Sequence, residues 1–136
     1  MVTVFMDPKI KLAQGFLEAL RKGERDRLFS YLSEDVHIVG ASGTKYGKPE
    51  LKQYFSHMGT PFKDIRQEPV GEYSTGDTVI IETVMKAEHV GSYMGIPASY
   101  KPFVMPTLNV FEIKDNKIKT WRQYQNFKII ADLHNR

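Results

Sequence analysis

The sequence predicts an α+β fold, with N-terminal helices packed on a strongly curved antiparallel sheet. Three observations carry this. Apolar residues recur at helical spacing in three stretches of the first half of the chain. Longer stretches with strand alternation follow, broken by turn-forming residues. The last two, over 104–127, flank Lys114-Asp115-Asn116 and read as a hairpin. A bent sheet closed by helices on one face encloses a cone-shaped chamber with a mouth at one end.

The first helix opens at Asp7-Pro8. Asp is a good N-cap, and Pro is tolerated at the first helical position because its missing N–H needs no partner there. Ile10, Ala13, Phe16, Leu17 and Leu20 form its apolar stripe, and Gly23 ends it. A second helix is expected over 24–32, burying Leu28, Phe29 and Leu32. A short strand follows over 36–39, then a loop at Ala41, Ser42 and Gly43. Gly47-Lys48-Pro49 introduces a third helix with Leu51, Tyr54, Phe55 and Met58 inward, stopped over 59–61.

The remainder reads as strand. Residues 65–73 contain Pro69 and Gly71, which suit a sheet edge or a bulge. A turn over 74–77 leads to a long strand over 78–90. A loop rich in Gly, Pro and Tyr spans 91–102. The hairpin strands run over 104–113 and 117–127. No internal repeat, low-complexity segment or linker interrupts the chain, so one domain over 1–136 is expected.

Composition narrows the function classes. The 136 residues are 41% hydrophobic, enough for one core. A net charge of +3 is too small to imply a nucleic-acid partner. The absence of cysteine removes disulfides, thiolate metal sites and a Cys nucleophile. No apolar run approaches the ~20 residues of a membrane span. The segment over 1–6 lacks the basic region and cleavage site of a signal peptide. A cytoplasmic protein with no membrane partner is the expectation. The four histidines are scattered without ligand spacing, so no metal or cofactor is expected.

Strand alternation sorts side chains between the chamber and the outer face. On the long strand, Glu82, Lys86 and Glu88 mark the outer parity, which places Thr83, Met85 and His89 inside. On the hairpin, Glu112 and Arg122 mark the outside. Met105, Thr107, Asn109 and Phe111 then point in, with Trp121, Gln123 and Gln125. On the first strand, His37 and Val39 are assigned to the chamber. The outer parity also carries Ile80, Val84, Val104, Leu108, Val110 and Tyr124. An apolar outer face calls for a cover: a second copy packed sheet to sheet, or the C-terminal tail over 129–133.

The element order, together with Val110-Phe111-Glu112-Ile113-Lys114-Asp115-Asn116-Lys117-Ile118 running into Trp121-Arg122-Gln123-Tyr124, resembles the nuclear transport factor 2-like superfamily. Within it the chain is most similar to the SnoaL-like polyketide cyclase and limonene epoxide hydrolase group, which Tyr46-Gly47-Lys48 also resembles. The resemblance implies a cystatin-like α+β roll. It implies also that the water-activating Asp–Arg–Asp positions of the epoxide hydrolases fall on Thr83, Met85 and Gln123. None of these is a carboxylate or a fixed cation. The acid/base of the related cyclases falls on Gln123 too. His37 takes the position of a water-holding Tyr.

His37 is therefore the candidate acid/base, with Gln123 beside it, because an imidazole can exchange protons near neutral pH. The competing reading is a histidine hydrogen-bonded in a polar wall. Val39, Thr83, Met85, Tyr93, Met105, Thr107, Asn109, Phe111 and Trp121 are the candidate substrate-binding residues. The 91–102 loop, with Tyr93, Met94, Ile96 and Tyr100, is either a lid or a static plug. His89 reads as a rim residue, His57 as a helix cap and His134 as part of a frayed tail. Three functions stay open: an acid/base isomerase, cyclase or hydrolase acting on a small hydrophobic molecule; a non-catalytic binder of such a molecule; and a homodimerisation module with a filled cone.

Overall fold

The computed structural model describes residues 7–40, 43–57 and 60–135. The expected loop positions Ala41 and Ser42, the helix-three position Met58, the stop residue Gly59, and the 1–6 segment lie outside them.

Asp7 caps α1 (Pro8–Lys22) by accepting a hydrogen bond from the Lys9 backbone N–H at 2.8 Å. Gly23 ends it at φ 71°, a left-handed conformation that glycine adopts without a side-chain penalty. The helix buries Ala13, Phe16 and Ala19. α2 (Arg25–Ser30) is shorter than expected. Leu32 belongs instead to β1 (Leu32–Gly40), where it pairs with Ile118. A short β2 (Gly43–Tyr46), unforeseen in the sequence, folds back on β1. α3 (Gly47–His57) then buries Leu51 and Phe55.

Four long strands complete the sheet: β3 (Phe62–Thr75), β4 (Thr78–His89), β5 (Pro102–Lys114) and β6 (Lys117–Gln125). Their order is β2-β1-β6-β5-β4-β3. The expected all-antiparallel sheet is corrected here, because β1 runs parallel to β6 and makes the sheet mixed. β3 lies at an edge and shifts register between Pro69 and Gly71, where proline has no N–H to offer a ladder. β5 turns into β6 through Asp115 and Asn116 at φ 53° and 58°, the two-residue geometry suited to a twisted hairpin.

Side chains of the curled sheet fill it in two zones. Near the β5–β6 hairpin, Phe16 from α1 meets Trp121 edge-on at 5.1 Å between ring centroids, and Phe111 lies parallel to Trp121 at 6.2 Å. Val79, Ile113 and Ile118 complete this closed end. Toward the other end, Met85, Ala87, Phe103 and Met105 pack against Ile130 and Leu133. The latter two come from α4 (Lys128–Asp132) and the short 3-10 turn after it. The tail therefore turns to the inner side of the sheet. It does not cover the outer face, where Val104 and Tyr124 are each 54% exposed and Leu108 is 37% exposed.

Candidate functional site: an amide-lined cavity

Between the two packed zones lies a cavity of about 580 Å³. Its apolar wall includes Leu17, Leu20, Phe55, Phe62, Ile65, Met85, Met105 and Phe127. Its polar wall is a belt on the inner sheet face: Gln67 from β3, Thr83 from β4, Asn109 from β5, and Gln123 and Gln125 from β6. Register brings these residues together. Asn109 stands opposite Gln123, and Thr107 stands between Thr83 and Gln125. Their side chains share a face because each follows strand alternation.

Hydrogen bonds orient the belt. The Asn109 amide nitrogen donates to the Ile81 carbonyl at 3.2 Å. Its oxygen accepts from the Trp121 indole N–H at 3.0 Å and from the Gln123 amide at 3.4 Å. Thr83 donates to the Gln67 side-chain oxygen at 2.9 Å. The Gln125 amide donates to the Thr107 hydroxyl at 3.1 Å. Thr83, Thr107 and Asn109, the buried members of the inner face, thus each have a partner, which is the condition for placing polar side chains in an apolar interior.

The mouth carries the charges. Arg21, Arg25, Lys45 and His57 border it with Glu50, whose carboxylate accepts from the Tyr46 backbone N–H at 3.2 Å. Tyr93 enters from the 91–101 loop and packs its ring at a tilt against Phe62 and Phe127, with centroids at 5.1 and 5.4 Å. Burial pushes its phenol up to about 12, so it stands as a neutral hydroxyl at physiological pH. Of the other apolar residues of that loop, Ile96 pairs backbone to backbone with Tyr93, while Met94 and Tyr100 are exposed.

Thr83, Met85, Tyr93, Met105, Asn109 and Gln123 thus surround the cavity. Five expected positions require correction. His37 and Val39 turn away from the chamber: Val36 and Ile38 are the buried parity of β1, at 0% and 2% exposure. The His37 ring lies against Tyr46, 5.6 Å between centroids, with its Nε2 3.5 Å from the Thr120 hydroxyl. Val39 pairs with Thr44 and Arg122. Phe111 and Trp121 are fully buried in the closed end, where Phe16 covers them, and they are core. Thr107 is buried beneath Gln125 and reaches the cavity only through it. His37 and Gln123, expected side by side, occupy opposite faces of the sheet.

Two other histidines differ from expectation, and His57 keeps its expected place. His89 is not a solvated rim residue but fully buried, with its Nδ1 3.4 Å from the Ser99 hydroxyl. His57 stands in the last turn of α3, as expected of a cation at a helix C-terminus, and also borders the cavity. His134, read as part of a frayed tail, donates to the Pro97 carbonyl at 2.7 Å. The residues missed in the sequence come mostly from helices and the β3 edge. Gln53, Phe62, Ile65 and Gln67 face the cavity through tertiary packing that no local periodicity displays. Gln125 had a usable signal, since it shares the inward parity of Gln123.

Helices on a curled mixed sheet, enclosing a small cavity beside the last strand, define a nuclear transport factor 2-like fold. A SnoaL-like domain family model matches residues 13–121, and the chain belongs to that family. It is similar to the aklanonic acid methyl ester cyclase DauD of a Streptomyces species, at 25% identity over 129 residues, covering 90% of this chain and 78% of that one. A solved Pseudomonas putida structure described as a polyketide cyclase superposes with a TM-score of 0.80 at 21% identity, covering 92% and 96% of the two chains. TerC, co-crystallised with polyporic acid, superposes with a TM-score of 0.76 at 16% identity, covering 96% and 100%.

Among the described residues, no three His, Asp or Glu side chains converge as a metal site would require. No described helix is long and apolar enough to cross a membrane.

Proposed function

We propose that this chain binds a flat, largely apolar, polyketide-like molecule in its cavity and promotes cyclisation or isomerisation of that molecule. The observation that carries the reading is the cavity itself: apolar walls with a few oriented amides, in a chain of the SnoaL-like family. The name of the cyclase relative supports the reaction class. Catalysis here would rest on holding the substrate in its reactive conformation and on hydrogen bonds to its oxygens. Tyr93 offers a neutral phenol as one donor. His37 lies outside the chamber and takes no part.

A second reading is a non-catalytic carrier of the same ligand class. It is favoured by one observation: among the described residues, Glu50 at the mouth is the only carboxylate bordering the cavity. Incubation with aklanonic acid methyl ester separates the two. A cyclase forms ring-closed product faster than buffer does. A carrier raises the melting temperature without consuming the compound. If neither this ester nor polyporic acid shifts the melting temperature or is converted, the small-molecule reading fails.

The partner we propose for the outer sheet face is a second copy of this chain. Val104, Leu108 and Tyr124 stay exposed there, and the C-terminal tail packs inside instead of covering them.

A further inference from the structure

The amides on β6 have a direction, and that direction specifies the ligand. Asn109 uses its nitrogen on the Ile81 carbonyl, so its oxygen must be the atom that meets Trp121 and Gln123. An oxygen cannot receive a hydrogen bond from another carbonyl. The Gln123 amide must therefore turn its nitrogen toward Asn109 and its oxygen away. Two residues along, the Thr107 hydroxyl directs its hydrogen to the Met105 carbonyl at 3.5 Å and accepts from the Gln125 nitrogen. The same nitrogen lies 4.0 Å from the Met85 sulfur, another acceptor. Gln125 therefore also turns its oxygen away from the sheet.

Neither side-chain oxygen has a hydrogen-bond partner among the described residues, and neither is a sealed, unsatisfied atom. Both side chains line the cavity. Same-face residues two apart on a strand are spaced by about 7 Å. Gln125 uses its N–H groups on Thr107 and toward Met85, and Gln123 keeps one.

We infer that the β6 wall is a two-point acceptor for hydroxyl groups, and that the ligand is a flat ring system with two neutral phenol or enol hydroxyls along one edge. The inference rests on the small-molecule reading of the cavity and names the chemistry of its deep edge. An ionised phenolate has no hydrogen to give and would meet two carbonyl dipoles with their negative ends toward it, so the wall selects the neutral form. An analogue with the hydroxyls methylated leaves both oxygens desolvated and unpaired, which is the condition that gives strong discrimination.

Calorimetry with three probes tests this: a naphthalenediol with one hydroxyl on each ring, its dimethyl ether, and naphthalene. The diol is expected to bind at least about tenfold more tightly than the ether. Gln123→Met and Gln125→Met, which preserve side-chain length, should each weaken the diol by roughly threefold or more relative to naphthalene. Equal binding of diol and ether to the unaltered protein overturns the inference without need of any variant. If naphthalene binds as tightly as the diol, the cavity reading stands and the acceptor wall falls. If none of the three binds, the acceptor wall falls, and the small-molecule reading is decided by the ester and polyporic acid.

Discussion

The Trp121 indole N–H and the Asn109 side-chain oxygen, 3.0 Å apart and both buried, join the closed core to the cavity wall. That one oxygen satisfies a core tryptophan and also accepts from Gln123 at the edge of the chamber. Packing and ligand geometry therefore meet in one side chain.

Asn109→Leu is expected to remove three hydrogen bonds and leave the buried Trp121 indole N–H without its partner in an apolar setting. The cost should be about 1–3 kcal/mol in urea denaturation, since the stranded N–H forfeits its desolvation. A loss below about 0.5 kcal/mol would show that water or a neighbour replaces those bonds.

His37→Ala is expected to change ligand affinity or turnover by less than about twofold, because the ring sits across the sheet from the cavity. A modest loss of stability, about 1 kcal/mol, should follow from the lost contact with the buried Thr120 hydroxyl. A fall in turnover of about 100-fold would return His37 to the chemistry that the sequence suggested for it.

The misassignment of His37 has a physical cause. Along β1, both parities begin with an acid and end with apolar residues: Glu34, Val36 and Ile38 on one, Asp35, His37 and Val39 on the other. Alternation alone is ambiguous there. What decides it is the parallel pairing with β6, which sets Ile38 beside Trp121. That partner is over eighty residues away and leaves no local trace. On β4, by contrast, Glu82, Lys86 and Glu88 fall on one parity, and the other parity is buried throughout. The helices, the four long strands and the hairpin turn are legible because caps, turn residues and alternation are local. The cavity's helical wall, and the inward docking of Ile130 and Leu133, depend on how elements meet in space.

His89 should make the fold acid-sensitive. Burial holds its imidazole below the usual histidine range, with His134 nearby adding to the effect and a Gly91 backbone hydrogen bond opposing it. Its Nε2 has no partner among the described residues. A depressed folded-state value means that the unfolded chain binds the proton more readily. Stability is then complete above about pH 6.5, and it declines as pH falls from there toward the folded value. Melting temperature should drop over that window, and His89→Gln should flatten the drop. An identical pH profile in the variant would assign the effect to the exposed histidines instead.

The outer sheet face supplies the last test. A centre of Val104, Leu108 and Tyr124, bordered by the Arg122–Glu112 ion pair at 3.0 Å, has the apolar middle and charged rim of an interface. A two-fold sheet-to-sheet contact there would need to bury roughly 800 Å² on each copy. Light scattering should find a dimer at micromolar concentration. Leu108→Lys would place a cation against its symmetry mate at the centre of the contact and should yield a monomer whose melting temperature depends less on concentration. The cavity lies on the opposite face, so the monomer should keep its affinity for the naphthalenediol. A wild-type chain that stays monomeric at all these concentrations would leave the apolar face to a different partner.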